Sequence, residues 1–131
     1  MTTLTASAIY LAVNTLLLLY LSLRVVGRRR SAQVSLGTGG DADLEVRTRA
    51  HGNAAEYIPV TMLGLFVLAA MDAPLWMIHA IGGVFTAGRI LHAIGLSATI
   101  LPARALGMVL TWLGMLGVAM ALLAVPYLTL A

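Results

Sequence analysis

The sequence predicts an all-α integral membrane protein built as a bundle of four transmembrane helices. Of its 131 residues, 60% are hydrophobic and only 10% charged, and the mean hydropathy is +0.96. Soluble domains carry about 25% charged residues. Four apolar segments each approach the length that a helix needs to cross the hydrocarbon, and they span Leu4–Val26, Ala54–Met71, Leu75–Leu96 and Ala105–Leu128. None alternates like a barrel strand, so residues 1–131 are expected to form one four-helix domain.

The first segment is expected to remain in the membrane as a span. No basic region precedes its apolar run and no small-residue cleavage site follows it, so it does not resemble a signal peptide. It closes with Arg24 and the cluster Arg28–Arg30. Arg24 has two interpretations from sequence: its side chain reaches the lipid head groups, or it turns inward toward a polar pocket.

The main segment outside the membrane is Gly27–Arg49, which is predicted to be a connecting loop. Its glycines favour a flexible turn. A phosphate-binding loop would need a Gly-Lys-Ser/Thr ending and a preceding strand, and the sequence has neither. Asp41 and Asp43 are expected to cap the start of the second helix, where the helix dipole favours negative charge.

The basic residues predict the orientation in the membrane. All eight are arginines, and apart from Arg89 they fall on one side of a four-span chain. The positive-inside rule makes that side cytoplasmic and puts both termini outside. The formal charge of +3 is therefore better explained by topology than by nucleic acid, and no nucleic-acid partner is expected.

The most informative motif stands at the head of the second span. Arg49, Asn53 and Glu56 occur at i, i+4 and i+7, so a helix places them on one face. Polar side chains at a bilayer boundary usually face a bundle interior or a cavity. The three groups either form an ion pair within the helix, bridged by the amide, or line a pocket for a small anionic or zwitterionic ligand.

The third span carries a second polar pair, Arg89 and His92, at i and i+3. A buried arginine needs a partner, and Glu56 is the nearest carboxylate in depth, so either an interhelical Glu56–Arg89 pair or a ligand role is expected. His92 is interpreted as a hydrogen-bonded interior residue or as a proton donor. No other histidine or carboxylate has metal-ligand spacing with it, so no metal site is predicted.

Pro102 is expected to end the third helix and start a turn, which places Arg104 at the head of the fourth helix. A cation at that point is not favoured by the helix dipole. Arg104 is interpreted either as a topology signal or as a group that stabilises an anion, for example a thiolate, since a nearby guanidinium lowers a thiol's pKa.

These residues resemble a known family, the membrane-associated proteins in eicosanoid and glutathione metabolism (MAPEG), and the chain looks most like its short bacterial members. The resemblance covers nearly the whole chain. Three segments carry it, namely Glu45-x-x-x-Arg49-Ala-His-x-Asn53-x-x-Glu56, Gly88-Arg89-x-x-His92 and Pro102-Ala-Arg104.

The resemblance implies a left-handed four-helix bundle that assembles as a homotrimer in the bacterial inner membrane. It also implies that glutathione binds between neighbouring subunits at the cytoplasmic end, and that membrane lipids and a lipophilic small-molecule substrate are further partners. By motif position, Arg49, Asn53 and Glu56 would contact glutathione, with support from Arg89 and His92.

Two further arginines match positions of the family, one beside the glutathione thiol and one in the first helix. Arg104 matches the family arginine that stabilises the glutathione thiolate, so it is the expected catalytic residue. Arg24 matches a first-helix arginine that faces the site, and Arg28 is the alternative match. Gly52 and Leu96 depart from the pattern, because some eicosanoid members have an arginine and a glutathione-contacting tyrosine there. These differences argue against prostaglandin synthase chemistry.

The function expected from the resemblance is a glutathione-dependent transferase or peroxidase that acts on lipophilic electrophiles or hydroperoxides. The alternative is a non-catalytic membrane protein that binds a lipid or amphiphile or serves as an oligomeric scaffold. A small multidrug transporter also has four spans, but it needs an acidic residue inside its first helix, and this first span has none.

Overall fold

The computed structural model describes the backbone of residues 1–129 and the side chains of residues 1–127. Within that range the protein is all-helical. Its four helices are α1 (Thr3–Ala32), α2 (Ala42–Ala70), α3 (Leu75–Ser97) and α4 (Leu101–Thr129). All four are long and apolar enough to cross a membrane, which confirms the predicted fold class at the level of a four-helix membrane protein.

The structure corrects the extent of the irregular connection between the first two spans. The predicted loop 27–49 is largely helical, because α1 continues to Ala32 and α2 already begins at Ala42. Asp41 is the residue that starts α2, since its side chain accepts a hydrogen bond of 2.7 Å from the Leu44 amide. The capping role predicted for Asp41 is therefore confirmed, and the polar helix ends extend beyond the apolar segments.

A cluster of ion pairs joins the end of α1 to the start of α2. Arg28 contacts Asp41 at 2.5 Å and Asp43 at 3.3 Å, and Arg47 contacts Asp43 at 2.9 Å. The Arg28 guanidinium, together with the hydrogen bond from the Leu44 amide, holds the pKa of Asp41 below its ordinary value. The helices are thus tied together at this level by charges outside the apolar segments.

The helices pack so that α1 contacts α2 and α3, while α4 contacts α3 and α2. Among the described residues α1 and α4 do not touch. The two ends of the bundle differ in charge. We call the end where α1 and α3 finish and α2 and α4 begin the arginine-rich end, because it carries Arg24, Arg28, Arg29, Arg30, Arg47, Arg49 and Arg104.

Glycines allow α3 and α4 to pack most closely of all pairs. A β-carbon on Gly88 would lie 2.7 Å from the Thr111 nitrogen, and one on Gly114 would lie 2.7 Å from the β-carbon of Phe85. Gly95 and Gly107 face the backbone of the opposite helix in the same way. In each helix the two glycines are seven residues apart, the repeat that keeps one face against a partner helix, and this contact positions the polar residues of α3.

The start of α4 also differs from expectation. Pro102 does not stand in a turn before the helix; it is the second residue of α4. The first turn of a helix tolerates proline because the amide there has no intrahelical acceptor. The turn between α3 and α4 instead lies at residues 98–100, where Thr99 adopts a positive φ of 58°.

Candidate functional site

Arg89 is the most unusual residue of the bundle. It is 0% exposed and lies where α2, α3 and α4 meet. Its Nη2 donates a hydrogen bond of 2.8 Å to Asn53 Oδ1 on α2. Its Nη1 donates a longer hydrogen bond, of 3.4 Å, to Thr111 Oγ1 on α4. The guanidinium carbon lies 5.6 Å from the centre of the Tyr57 ring, at a distance typical of a cation–π contact.

The predicted ion pair between Glu56 and Arg89 is wrong. Arg89 is fully buried, whereas Glu56 is exposed and makes no ion pair with any described residue. The reason is helical geometry: at about 100° per residue, Glu56 points about 60° away from Asn53, on the side opposite the buried residues Ala54 and Ile58. The amide of Asn53, not the carboxylate, therefore meets the guanidinium.

Arg89 consequently has no counter-charge within the described part of the chain. Asp41 and Asp43 are engaged with Arg28 and Arg47 at the helix ends, and the remaining carboxylates, Glu45, Glu56 and Asp72, are all exposed. Its Nε atom is buried and has no hydrogen-bond partner among the described residues. A buried cation with a spare donor is well suited to bind an anion, because burial strengthens a charge-assisted hydrogen bond.

His92 connects this region to the start of α4. It is 5% exposed, and its Nδ1 lies 3.0 Å from the backbone oxygen of Arg104. Because a carbonyl oxygen can only accept, Nδ1 carries the proton, and in the neutral ring Nε2 is left as an acceptor. Gly107 permits this approach, since a β-carbon there would collide with the His92 backbone. His92 thus fixes the position of the turn that bears Arg104.

The side chain of Arg104 is exposed at the arginine-rich end and has no carboxylate within ion-pair distance among the described residues. The same holds for Arg49. Arg49, Asn53 and Glu56 do share one face of α2, but that face is turned away from the centre of the chain's own bundle, with only Asn53 half-buried at its edge.

Arg24 lies on a different side of α3. Its Nη1 donates a hydrogen bond of 2.6 Å to Ser97 Oγ, and its guanidinium carbon is 5.7 Å from the centre of the Tyr20 ring. Ser97 is turned about 80° from Arg89 around α3 by the helical repeat. The two arginines therefore point to separate places, Arg24 toward the α1–α3 contact and Arg89 toward α2 and α4.

Of the residues predicted for the site, the single chain brings together Asn53 and Arg89 by their side chains, and His92 and Arg104 through the Arg104 backbone. It does not join Arg24, Arg49 or Glu56 to them. Within the described residues no group of three histidine, cysteine or carboxylate side chains has the arrangement of a metal site.

Sequence reasoning missed two partners of Arg89, Tyr57 and Thr111. Thr111 carried a signal, because it is a hydroxyl inside an apolar span and stands four residues after Gly107. Its own hydroxyl donates 2.8 Å back to the Gly107 oxygen, which leaves its lone pairs to face Arg89. Ser97, the partner of Arg24, carried no comparable signal, since a serine at the end of a span is ordinary.

Comparisons with known proteins agree with this architecture. The MAPEG family model matches residues 7–124. The inner membrane protein YecN of Escherichia coli K12 is 37% identical over 110 residues, which cover 84% of this chain and 84% of that protein. YecN of E. coli O6:H1 matches to the same extent. A family match over most of the chain, on four helices of membrane-spanning length, shows that this protein is an integral membrane protein of the MAPEG family.

Proposed function

We propose that this protein is a glutathione-dependent transferase or peroxidase that acts on lipophilic electrophiles or hydroperoxides inside the membrane. The observation that carries the proposal is Arg89, a fully buried guanidinium with no carboxylate partner in the described chain and a spare Nε donor. Membership of a family that includes glutathione transferases and peroxidases supports it. Glutathione, with two carboxylates, one ammonium and one thiol, has the charges that the candidate residues would recognise.

In this proposal the anionic ends of glutathione bind Arg89 and Arg49. A bidentate guanidinium–carboxylate contact is the strongest form of such an interaction. Asn53, which already orients Arg89, would hold an amide, and Glu56 would hold the ammonium group. His92 acts as a positioning residue, because its contact with the Arg104 backbone sets where the Arg104 guanidinium stands.

Arg104 is the proposed catalytic residue. A guanidinium beside the glutathione sulfur favours the thiolate, which is the reactive nucleophile. In the transferase reaction the thiolate sulfur bonds to the electrophilic carbon, the leaving group departs with the electron pair, and the thiol proton ends on solvent or on the leaving group. In the peroxidase reaction two thiols are oxidised to one disulfide while the hydroperoxide is reduced to an alcohol and water.

The outward direction of Arg49 and Glu56 supports a site that two copies of the chain complete. Glu56 lies inside the second apolar segment, where a charged side chain that faces lipid is costly, and Arg49 precedes that segment on the same face of α2. Both side chains are exposed on the single chain. A homotrimer with glutathione between subunits would cover them. The proposal further places the protein in a bacterial inner membrane with the arginine-rich end in the cytoplasm, so that glutathione enters from water and the second substrate arrives through the bilayer.

The test is calorimetric titration of the detergent-purified protein with glutathione, together with ultraviolet detection of the bound thiolate. We expect saturable binding that Arg49→Ala removes. Arg104→Ala should keep most of the binding but lose the thiolate signal and turnover. Arg30→Ala is the matched control, because Arg30 is an exposed arginine at the same end that the proposal does not use. Unchanged turnover in Arg104→Ala would exclude its catalytic role.

The second candidate function is non-catalytic, as a lipid-binding protein or oligomeric scaffold. One observation favours it: through Asn53 and Thr111, Arg89 joins α3 to both α2 and α4, as a purely structural residue would. If millimolar glutathione gives no binding heat and Arg49→Ala instead weakens the oligomer, this second function replaces the first.

A further inference from the structure

A groove runs between α1 and α3 on the side of the molecule away from Arg89. It encloses about 430 Å³, within the lower range of ligand-binding pockets. Its wall on α1 runs from Leu17 to Arg24 and its wall on α3 from Ile90 to Ala98. Leu17 and Arg24 are seven positions apart, so the helical rise makes the groove about 10 Å long. The candidate site around Arg89 lies on another side of α3, although the family resemblance also matches Arg24, at the polar end of this groove, to a first-helix arginine that faces the thiol site.

The groove is polar at one end and apolar along the rest. Leu17, Leu21, Ile90 and Ile94 form its apolar walls, and Arg24 and Ser97 stand where it reaches the arginine-rich end. A lipid in the adjacent leaflet has the same polarity, with its head group at the membrane surface and its acyl chains toward the middle. Because 53% of Ile94 is exposed, a chain could enter sideways from the bilayer.

The charge at the polar end selects an anion. Arg24 has no carboxylate within ion-pair distance among the described residues, and its only side-chain hydrogen bond goes to the neutral Ser97 hydroxyl. The nearest acidic cluster, Asp41 and Asp43, is already engaged by Arg28 and Arg47. A guanidinium has donors for more than one acceptor, so a phosphate oxygen can bind beside Ser97.

We propose that this α1–α3 groove is a binding site for an anionic phospholipid, with one acyl chain between Leu17 and Ile94 and the phosphate on Arg24. The apolar walls explain why a phospholipid is favoured over free phosphate, which would leave them empty. The unpaired cation explains why an anionic head group is favoured over a zwitterionic one. The inference does not depend on the proposed function, since it needs neither Arg89 nor glutathione.

The test is native mass spectrometry of the detergent-purified protein titrated with phosphatidylglycerol or phosphatidylcholine. We expect one phosphatidylglycerol per chain to bind in preference to phosphatidylcholine. Arg24→Gln should weaken phosphatidylglycerol binding by about tenfold or more, as the loss of a hydrogen bond from a charged group predicts. Arg30→Gln removes the same charge from an exposed position outside the groove, and it should leave binding within about twofold.

A second variant separates the acyl chain from the head group. Ile94→Trp fills the groove from an exposed position that folding does not require to be small, and it keeps every charge. It should weaken phosphatidylglycerol binding as strongly as Arg24→Gln. Circular dichroism verifies that each variant is folded, and inorganic phosphate added in excess should compete poorly because it lacks a chain.

Several results would overturn the proposal. Equal losses in Arg24→Gln and Arg30→Gln would mean that only diffuse surface charge attracts the lipid. Full binding in Ile94→Trp would mean that no chain enters the groove, and a changed oligomeric state in that variant with unaltered lipid binding would assign the groove to a second copy. Loss of glutathione binding in Arg24→Gln, with lipid binding intact, would mean that Arg24 binds glutathione, as the family resemblance implies, and not a phospholipid.

Discussion

Replacing Asn53 by alanine tests whether the Asn53 side-chain amide is the main group that stabilises the buried guanidinium of Arg89. Asn53 Oδ1 is the closest acceptor to the guanidinium, at 2.8 Å, and Thr111 Oγ1 follows at 3.4 Å. Because Nε has no hydrogen-bond partner among residues 1–127, the variant would leave the buried guanidinium with one long hydrogen bond in that range, to Thr111. The free energy of unfolding should therefore fall.

Two sets of measured hydrogen-bond energies give different magnitudes for this loss of stability. Hydrogen bonds between helices in membranes contribute about 0.6 kcal/mol on average, whereas hydrogen bonds to charged groups contribute about 1.5–3 kcal/mol. Since Arg89 is 0% exposed, water cannot replace the lost acceptor, and the second scale applies. We expect Asn53→Ala to cost about 2 kcal/mol, and Thr111→Val, which removes the long bond with little change of shape, to cost about 0.5 kcal/mol.

The assay is equilibrium unfolding in mixed micelles with increasing dodecyl sulfate, followed by circular dichroism. Asn53→Asp is the matched control, because it keeps the shape and supplies a carboxylate to Arg89; it should be at least as stable as the natural protein at neutral pH. The reasoning is refuted if Asn53→Ala destabilises the protein no more than Thr111→Val does, since Asn53 would then not be the main acceptor.

Three further predictions concern packing and pH. Gly107→Ala should destabilise the bundle by about 1–3 kcal/mol in the same unfolding assay, because its β-carbon would collide with the His92 backbone. Gly52→Ala should stabilise it by about 0.5–1 kcal/mol, because a β-carbon there meets nothing within 4 Å; a loss of stability would mean that another molecule packs on that face. The pKa of Asp41 is lowered in the folded protein, so its contribution is present at neutral pH and is lost as the pH falls below its ordinary value of about 3.9. The protection of the Leu44 amide against hydrogen exchange, taken relative to the intrinsic exchange rate at each pH, should decrease over that acidic range in the natural protein but not in Asp41→Asn.

The fold could be predicted from sequence because four apolar segments of membrane-spanning length admit few arrangements. The third segment, predicted as Leu75–Leu96, is a helix over Leu75–Ser97, since Pro74 and the following turn limit it at both ends. The first two helices extend beyond their apolar segments, because Asp41 and the ion pairs of Arg28 stabilise helix in a polar sequence. Hydropathy predicts the apolar part of a helix that lies in the membrane, but it does not detect the capping residues that extend the helix beyond it.

The candidate site was harder to predict because spacing within a helix gives the face but not the direction of that face. The shared face of Arg49, Asn53 and Glu56 followed from their sequence separation alone. Which way that face points depends on the packing of α2 against its neighbours, and it turned Glu56 outward while bringing Asn53 to Arg89. A prediction from depth alone paired the wrong side chain with the arginine.

Most arginines of this protein are not paired with carboxylates in the part of the chain that the structure describes. Six arginines have no carboxylate within ion-pair distance among the described residues, namely Arg24, Arg29, Arg30, Arg49, Arg89 and Arg104. Five of these lie at the arginine-rich end, where repulsion among like charges opposes folding, and the sixth, Arg89, is buried within the bundle. Anions that bind beside these arginines would offset the repulsion between them. The two proposed anions, glutathione and a phospholipid, would occupy different sides of α3. Each should therefore raise the protein's resistance to unfolding, and their stabilising effects should add, because Arg24 and Arg89 share no hydrogen-bond partner.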